Sequence, residues 1–224
     1  MWADFQAGKT KRVHLSANLY CQRIGGKMVQ KKQTPAMAIF GSSNYDIAVK
    51  CYSKVYETGK MLAEKGYTLI YGVGDVGMMG AAYNGVRSVG GKVLGVTIPV
   101  LLKRQCADPS IFKKGELKLV DTLEERKKIM VTRADVILIA PGGWGTLDEI
   151  GTFGVRFKIG EWSVRPVIFL NYNHYWDGFL KFIKQMVKDK AVRPNQMAFV
   201  GSIRSPKNLF KEIDRVKKKI AKYQ

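Results

Sequence analysis

From residue 36 onward the chain alternates two patterns. Short apolar runs at 36–40, 67–71, 92–97, 117–120, 136–140 and 167–170 read as strands. Between them apolar positions recur at helical spacing, which predicts helices near 44–65, 78–90, 122–134, 145–159 and 175–189, and a last, basic one near 206–222. The strand runs are continuously apolar rather than alternating, as strands covered on both faces are. The pattern therefore predicts an α/β fold, a doubly wound, Rossmann-like parallel sheet with helices on both faces. No internal repeat or low-complexity tract interrupts it.

Such sheets bind ligands in the crevice outside the carboxyl ends of the strands, near the point where strand order reverses. The loops to inspect are 41–44, 72–80, 97–115 and 141–146. Residues 98–116, with Pro99, Pro109 and Gly115, read as an irregular excursion of the kind that forms a lid or rim.

Composition narrows the class. A chain of 224 residues, 46% of them hydrophobic, can bury one substantial core. No run approaches the roughly 18 uncharged residues of a membrane span, and the first residues lack a secretory signal, so a soluble, cytoplasmic protein is expected. Cys21, Cys51 and Cys106 are scattered, with only His14 and His174 to assist, which argues against a disulfide framework or structural zinc. No metal is expected. The net charge is +20; residues 1–34 carry +6 and residues 205–224 carry +5, leaving +9 for 35–204. The organisation read from this is a basic extension (1–34), the α/β domain (35–204) and a basic C-terminal helix (205–224). The ends are solvated charge, a weak contact with a polyanion (an anionic membrane or nucleic acid), or, for the first segment, an organelle-targeting sequence.

Two glycine-rich loops carry the candidate chemistry. After the strand ending at Tyr71 comes Gly72-Val-Gly74-Asp-Val-Gly77-Met-Met-Gly80, then a helix. Glycines let backbone N–H groups approach an anion, and the helix N-terminus adds its dipole, so a phosphate cradle competes with simple turn packing. It is not a Walker A loop, since no Gly-Lys-Ser/Thr follows, and no acidic residue clearly ends the next strand as a dinucleotide site expects. The second loop, Pro141-Gly142-Gly143-Trp144-Gly145-Thr146-Leu-Asp-Glu149, follows the buried strand at 136–140. Thr146 places a hydroxyl in the first helical turn, and Glu149 would share its face one turn on; a capping box is the alternative. Upstream lies Arg126-Lys127-x-x-Met130, a candidate contact or a plain charge run from Glu124 to Lys128.

These residues resemble the LOG (lonely guy) family, often labelled lysine decarboxylases, which are cytokinin riboside 5′-monophosphate phosphoribohydrolases. The family's PGGxGTxxE is matched by Pro141 to Glu149, its RKxxM by Arg126 to Met130, and its GGGxxGxMG by Gly72 to Gly80 with Val73 in place of a glycine; Gly41-Ser42-Ser43 looks like its first loop. The resemblance covers about residues 35–190. It implies an enzyme that hydrolyses the N-glycosidic bond of a nucleoside 5′-monophosphate, a cytokinin riboside 5′-monophosphate or an AMP-like nucleotide, without metal or organic cofactor. Gly142, Gly143, Trp144, Gly145 and Thr146 would hold the phosphate end, helped by Gly72, Gly74, Gly77 and Gly80 and by Gly41 and Ser42. Glu149 and Arg126 would act at the ribose, with Lys127 beside them. A homodimer is implied as well.

Departures from the family pattern bear on the base. Asp75 puts a carboxylate near the proposed phosphate, and Val155-Arg156-Phe157-Lys158 stands where the family continues with Thr-Trp-x-Gln. No lysine is identifiable as a Schiff-base residue, which argues against decarboxylation. The competing reading is a carrier or sensor of the same fold that holds a nucleotide or cofactor without turnover.

Overall fold

The computed structural model describes residues 19–24, 27–32, 34–105, 112–113 and 115–223. Two compact units divide at Thr34 and Pro35. In the first, β1 (Leu19–Ile24) and β2 (Lys27–Lys32) pair antiparallel with Leu19 opposite Lys32.

The second unit is an α/β layer structure. Its elements run β3 (Ala36–Phe40), α1 (Tyr45–Glu64), β4 (Thr68–Tyr71), α2 (Gly77–Arg87), β5 (Val93–Thr97), α3 (Pro99–Gln105), β6 (Leu117–Leu119) and α4 (Leu123–Arg133). They continue with β7 (Val136–Ile139), α5 (Trp144–Lys158), β8 (Val167–Leu170), α6 (Asp177–Lys188), β9 (Val200–Ile203) and α7 (Leu209–Ala221). Seven strands, all parallel, lie in the order β6-β5-β4-β3-β7-β8-β9. Every residue of β3, β7 and β8 is buried, which is why these runs carry no polar alternation. The expected fold class is the observed one.

The chain builds outward from β3 to β6 on one side, then returns through α4 to β7 on the other. Strand order therefore reverses between β3 and β7, and the loops leaving their carboxyl ends part to open a crevice. Two backbone bonds close its base: the Ala140 amide donates to the Phe40 carbonyl at 2.8 Å, and the Ser42 amide to the Pro141 carbonyl at 3.0 Å. Since each helix here begins where a parallel strand ends, the start of α4 lies on the crevice side, with Arg126 closing its first turn and Lys127 opening the second.

Helices α1 and α2 cross at close range. A Cβ on Gly59 would stand 2.3 Å from the Ala82 carbonyl oxygen, and one on Gly85 would stand 2.0 Å from that of Tyr56. Only glycine permits this approach.

Four features depart from the sequence reading. β9 was not expected, because Val200-Gly-Ser-Ile has glycine and serine at its centre and no apolar run. The hairpin β1–β2 lies within a stretch read only as basic. The 98–116 excursion opens with a helix, α3, whose first residue, Pro99, suits that position because its missing N–H has no helical partner there. Finally, α7, read as a basic helix set apart from the 35–204 domain, belongs to its core: Leu209, Ile213, Val216 and Ile220 form one buried stripe there. No helix among the described residues is long and apolar enough to cross a membrane.

Candidate active site

The crevice between the β3 and β7 loops holds a cleft of ≈ 370 Å³. Its wall on the β7 side is the start of α5. Gly143 is the N-cap, with no side chain capping it, and the first bond within the helix runs from the Leu147 amide to the Gly143 carbonyl at 3.0 Å. The amides of Trp144, Gly145 and Thr146 thus precede the helical ladder and form the positive end of the helix dipole. Because the cap is Gly143, Thr146 is the third helical residue, and the capping-box alternative for Thr146 and Glu149 does not describe this helix. Open space surrounds the positions a Cβ would take on Gly143 and Gly145. Gly142 differs, since a Cβ there would stand 2.1 Å from the Thr146 hydroxyl oxygen; it is buried, and its carbonyl accepts from the Tyr175 hydroxyl at 2.8 Å.

At the centre of the cleft Arg126 meets Glu149. The guanidinium is buried and held on three sides: Nε donates to the Val96 carbonyl at 3.1 Å, Nη2 to the Gly72 carbonyl at 3.3 Å, and Nη1 lies 3.8 Å from Glu149 Oε1. The Glu149 side chain is only 12% exposed. Burial pushes its carboxyl up to about 8, against the pull of Arg126, with Asp148 adding to the rise. The same burial lowers Arg126, and Glu149 opposes that shift.

Lys127 lines the cleft, but its ammonium is turned to protein partners. It pairs with Glu124, donates to Asp148 at 3.0 Å and to the Thr152 hydroxyl at 3.0 Å, and so braces α4 against α5. Desolvation would lower this amine, yet the two carboxylates outweigh it and hold the lysine above its usual value.

The first glycine-rich loop stands behind the cleft rather than on it. Gly72, Gly74, Gly77 and Gly80 are all buried and none lines the cavity. A Cβ on Gly72 would meet the Arg126 guanidinium. Gly77, at φ +70, would meet the Ser42 carbonyl oxygen at 2.5 Å, and Gly80 that of Asp75 at 2.4 Å. The anticipated amide cradle is engaged by the protein itself, since the Met78 amide donates to the Ser42 carbonyl at 2.9 Å. At Gly72, Gly77 and Gly80 the missing side chain permits close packing, and none of the four glycines expected to help hold the phosphate lines the cleft. Ser42 and Gly41 do line the cleft, although the Ser42 amide is committed to Pro141. Asp75 is exposed and outside the lining, so its charge does not face the cleft. Val73 takes φ +64 with a fully buried side chain, a left-handed conformation costing a branched residue roughly 1–2 kcal/mol. Gly95 leaves it room, as a Cβ there would be 2.7 Å from Val73 Cγ2.

Several lining residues were not anticipated: Met79, Leu101, Leu123 and Asp148. Leu123 lies one turn before Arg126 and could have been found by helical spacing. Leu101 could not, because its segment read as irregular. Trp144, 88% exposed, stands at the rim.

The sequence matches a family described as "Possible lysine decarboxylase" over residues 79–213. A probable cytokinin riboside 5′-monophosphate phosphoribohydrolase of Oryza sativa subsp. japonica is 31% identical over 189 residues, covering 80% of this chain and 74% of that protein. A cytokinin riboside 5′-monophosphate phosphoribohydrolase of Arabidopsis thaliana is 26% identical over 191 residues, with 85% and 87% covered. Among solved structures, the molybdenum cofactor carrier protein from Chlamydomonas reinhardtii matches with a TM-score of 0.58 at 19% identity, covering 83% of this chain and 99% of that one. At that identity the likeness is one of fold.

Proposed function

The chain belongs to the family described as "Possible lysine decarboxylase", the LOG family, and we propose that it hydrolyses the N-glycosidic bond of a nucleoside 5′-monophosphate to free base and ribose 5-phosphate. One observation carries this reading: the buried Glu149 carboxyl group and the Arg126 guanidinium, 3.8 Å apart, share a cleft with the uncapped start of α5.

The substrate's phosphate sits on the Trp144–Thr146 amides, where the open space at Gly143 and Gly145 admits it. Anchoring that end brings the ribose toward Glu149. Cleavage of the C1′–N bond, whose electron pair leaves with the base, builds positive charge on the ribose ring that the ionised Glu149 carboxylate stabilises; water then adds at C1′ and its proton passes to the departing base nitrogen. Arg126 positions Glu149 and favours its ionised form. Lysine decarboxylation is disfavoured by Lys127, the lysine lining the cleft. Its carboxylate partners hold it protonated, the opposite of what a Schiff-base amine needs.

Met79, Leu101, Leu123 and Trp144 give the cleft an apolar side suited to a purine carrying a hydrocarbon substituent, so a cytokinin riboside 5′-monophosphate is the substrate we expect, with AMP as the simpler alternative. A homodimer belongs to the same reading. Tyr45, Val49 and Tyr52 form an exposed stripe along α1, 71%, 59% and 39% accessible, of the kind a partner covers. We also place the protein in the cytoplasm.

The test is incubation with a panel of nucleoside 5′-monophosphates and the matching nucleosides, followed by chromatography for free base. Release from monophosphates alone, abolished in Glu149→Gln, is the expected result. Tight binding of a monophosphate with no base released would instead favour a carrier, for which the Glu149–Arg126 pair has no evident use.

A further inference from the structure

A larger cavity than the cleft lies farther along the same edge of the sheet. A groove of ≈ 1040 Å³ runs between α6 and α7 beside the carboxyl end of β9, the outermost strand, with Leu180 and Ile203 among its apolar lining. Two rails of cations border it. Lys181 and Lys184, one turn apart, come from α6; Lys211, Arg215 and Lys218, at successive turns, come from α7.

Three carboxylates line the groove: Asp214 is exposed and sets one negative charge against the rails, and the other two are already engaged. Glu212 binds Arg215 through both oxygens at 2.7 Å and accepts from the Ser202 amide at 3.0 Å. Asp177 accepts from Asn171 at 2.6 Å and lies 3.7 Å from Arg204. By contrast, Lys181, Lys184, Lys211 and Lys218 are exposed and form no ion pair among the described residues. Four ammonium groups facing one concavity in a chain of net charge +20 focus a positive potential there.

The occupant follows from geometry. A peptide strand added to β9 would need the outward Ser202 amide, and Glu212 occupies it. A bilayer surface is flat, whereas these cations line a concavity. An extended phosphodiester chain offers a flexible row of single negative charges that two rails of lysines can track without reading bases. We propose that the α6–α7 groove binds single-stranded nucleic acid through its phosphates. The site stands apart from the hydrolytic cleft and does not depend on its chemistry.

The experiment uses the full chain and a fluorescent single-stranded RNA oligonucleotide, titrated over a series of salt concentrations. Two variants carry equal charge changes: K181Q/K184Q/K211Q/K218Q in the groove, and K188Q/K207Q/K217Q/K222Q on exposed lysines outside it. The groove variant should lose more than about tenfold in affinity and reduce the slope of log K against log salt by about 3, while the control stays within about threefold of wild type. In the wild-type complex, photo-crosslinks from a bromouridine-substituted oligonucleotide should map to α6 and α7. Equal losses in the two variants, or crosslinks elsewhere, would overturn the proposal. So would tighter binding to polyglutamate or to phosphatidylserine vesicles than to RNA, which would make the partner an acidic protein or a membrane.

Discussion

Gly72 and Arg126 fit together so closely that a Cβ on the glycine would stand 1.7 Å from the arginine's Nη2, the same nitrogen that donates to the Gly72 carbonyl at 3.3 Å. The glycine motif and the Arg-Lys motif are thus two halves of one device that aims the guanidinium at Glu149. Replacing Gly72 by alanine must displace Arg126 or the loop. We expect Gly72→Ala to lower kcat by about a hundredfold with a smaller change in KM, and to cost about 1–3 kcal/mol of stability. Steady-state kinetics with urea unfolding checks both, and unchanged kcat would show that Arg126 has no positioning role.

Glu149 links activity to pH. Its carboxyl is raised from 4.5 to about 8 by burial, so between those values the folded protein binds more protons than the unfolded chain, and stability falls as pH rises through that window. Glu149→Gln removes this loss. Its stability should match wild type near pH 4 and exceed it by up to a few kcal/mol at pH 9, measured by denaturant titration at each pH. Because the proposed reaction uses the ionised carboxylate, kcat/KM of the wild type should rise with pH up to about 8. A profile flat from pH 6 to 9 would count against that form.

The Tyr175 hydroxyl tethers the Gly142 carbonyl at 2.8 Å and so fixes the turn that presents the α5 amides. Tyr175→Phe keeps the ring, which packs edge-on against Trp176 at 5.0 Å, and loses only the tether. The expected outcome is KM for the monophosphate raised about threefold to tenfold with kcat nearly unchanged.

Gly59 and Gly85 permit the crossing of α1 over α2. In either position alanine would drive a Cβ into a backbone carbonyl that cannot move independently of its helix. Gly59→Ala and Gly85→Ala should each cost about 2–4 kcal/mol in urea unfolding, although alanine is the better helix former by about 1 kcal/mol. A stabilised variant would mean that the helices can separate freely.

The sequence by itself determined what rests on local stereochemistry. Continuous apolar runs marked the buried parallel strands, helical spacing marked α1, α2 and α4 to α7, and Pro141 to Thr146 marked a glycine-opened helix start with Glu149 one turn on. These depend on neighbours within a few residues, where period and backbone freedom decide. Only the tertiary structure decided which glycines open onto the cleft and which lie against the protein. Gly72 and Gly143 look alike as residues, but one lies against a side chain 54 positions away and the other against open space. It also decided that Lys127 is a brace, that α3 brings Leu101 over the cleft, and that Val200–Ile203 closes the sheet as β9. Those outcomes are set by the return of the chain through α4 and by packing between distant segments, and no local period encodes them.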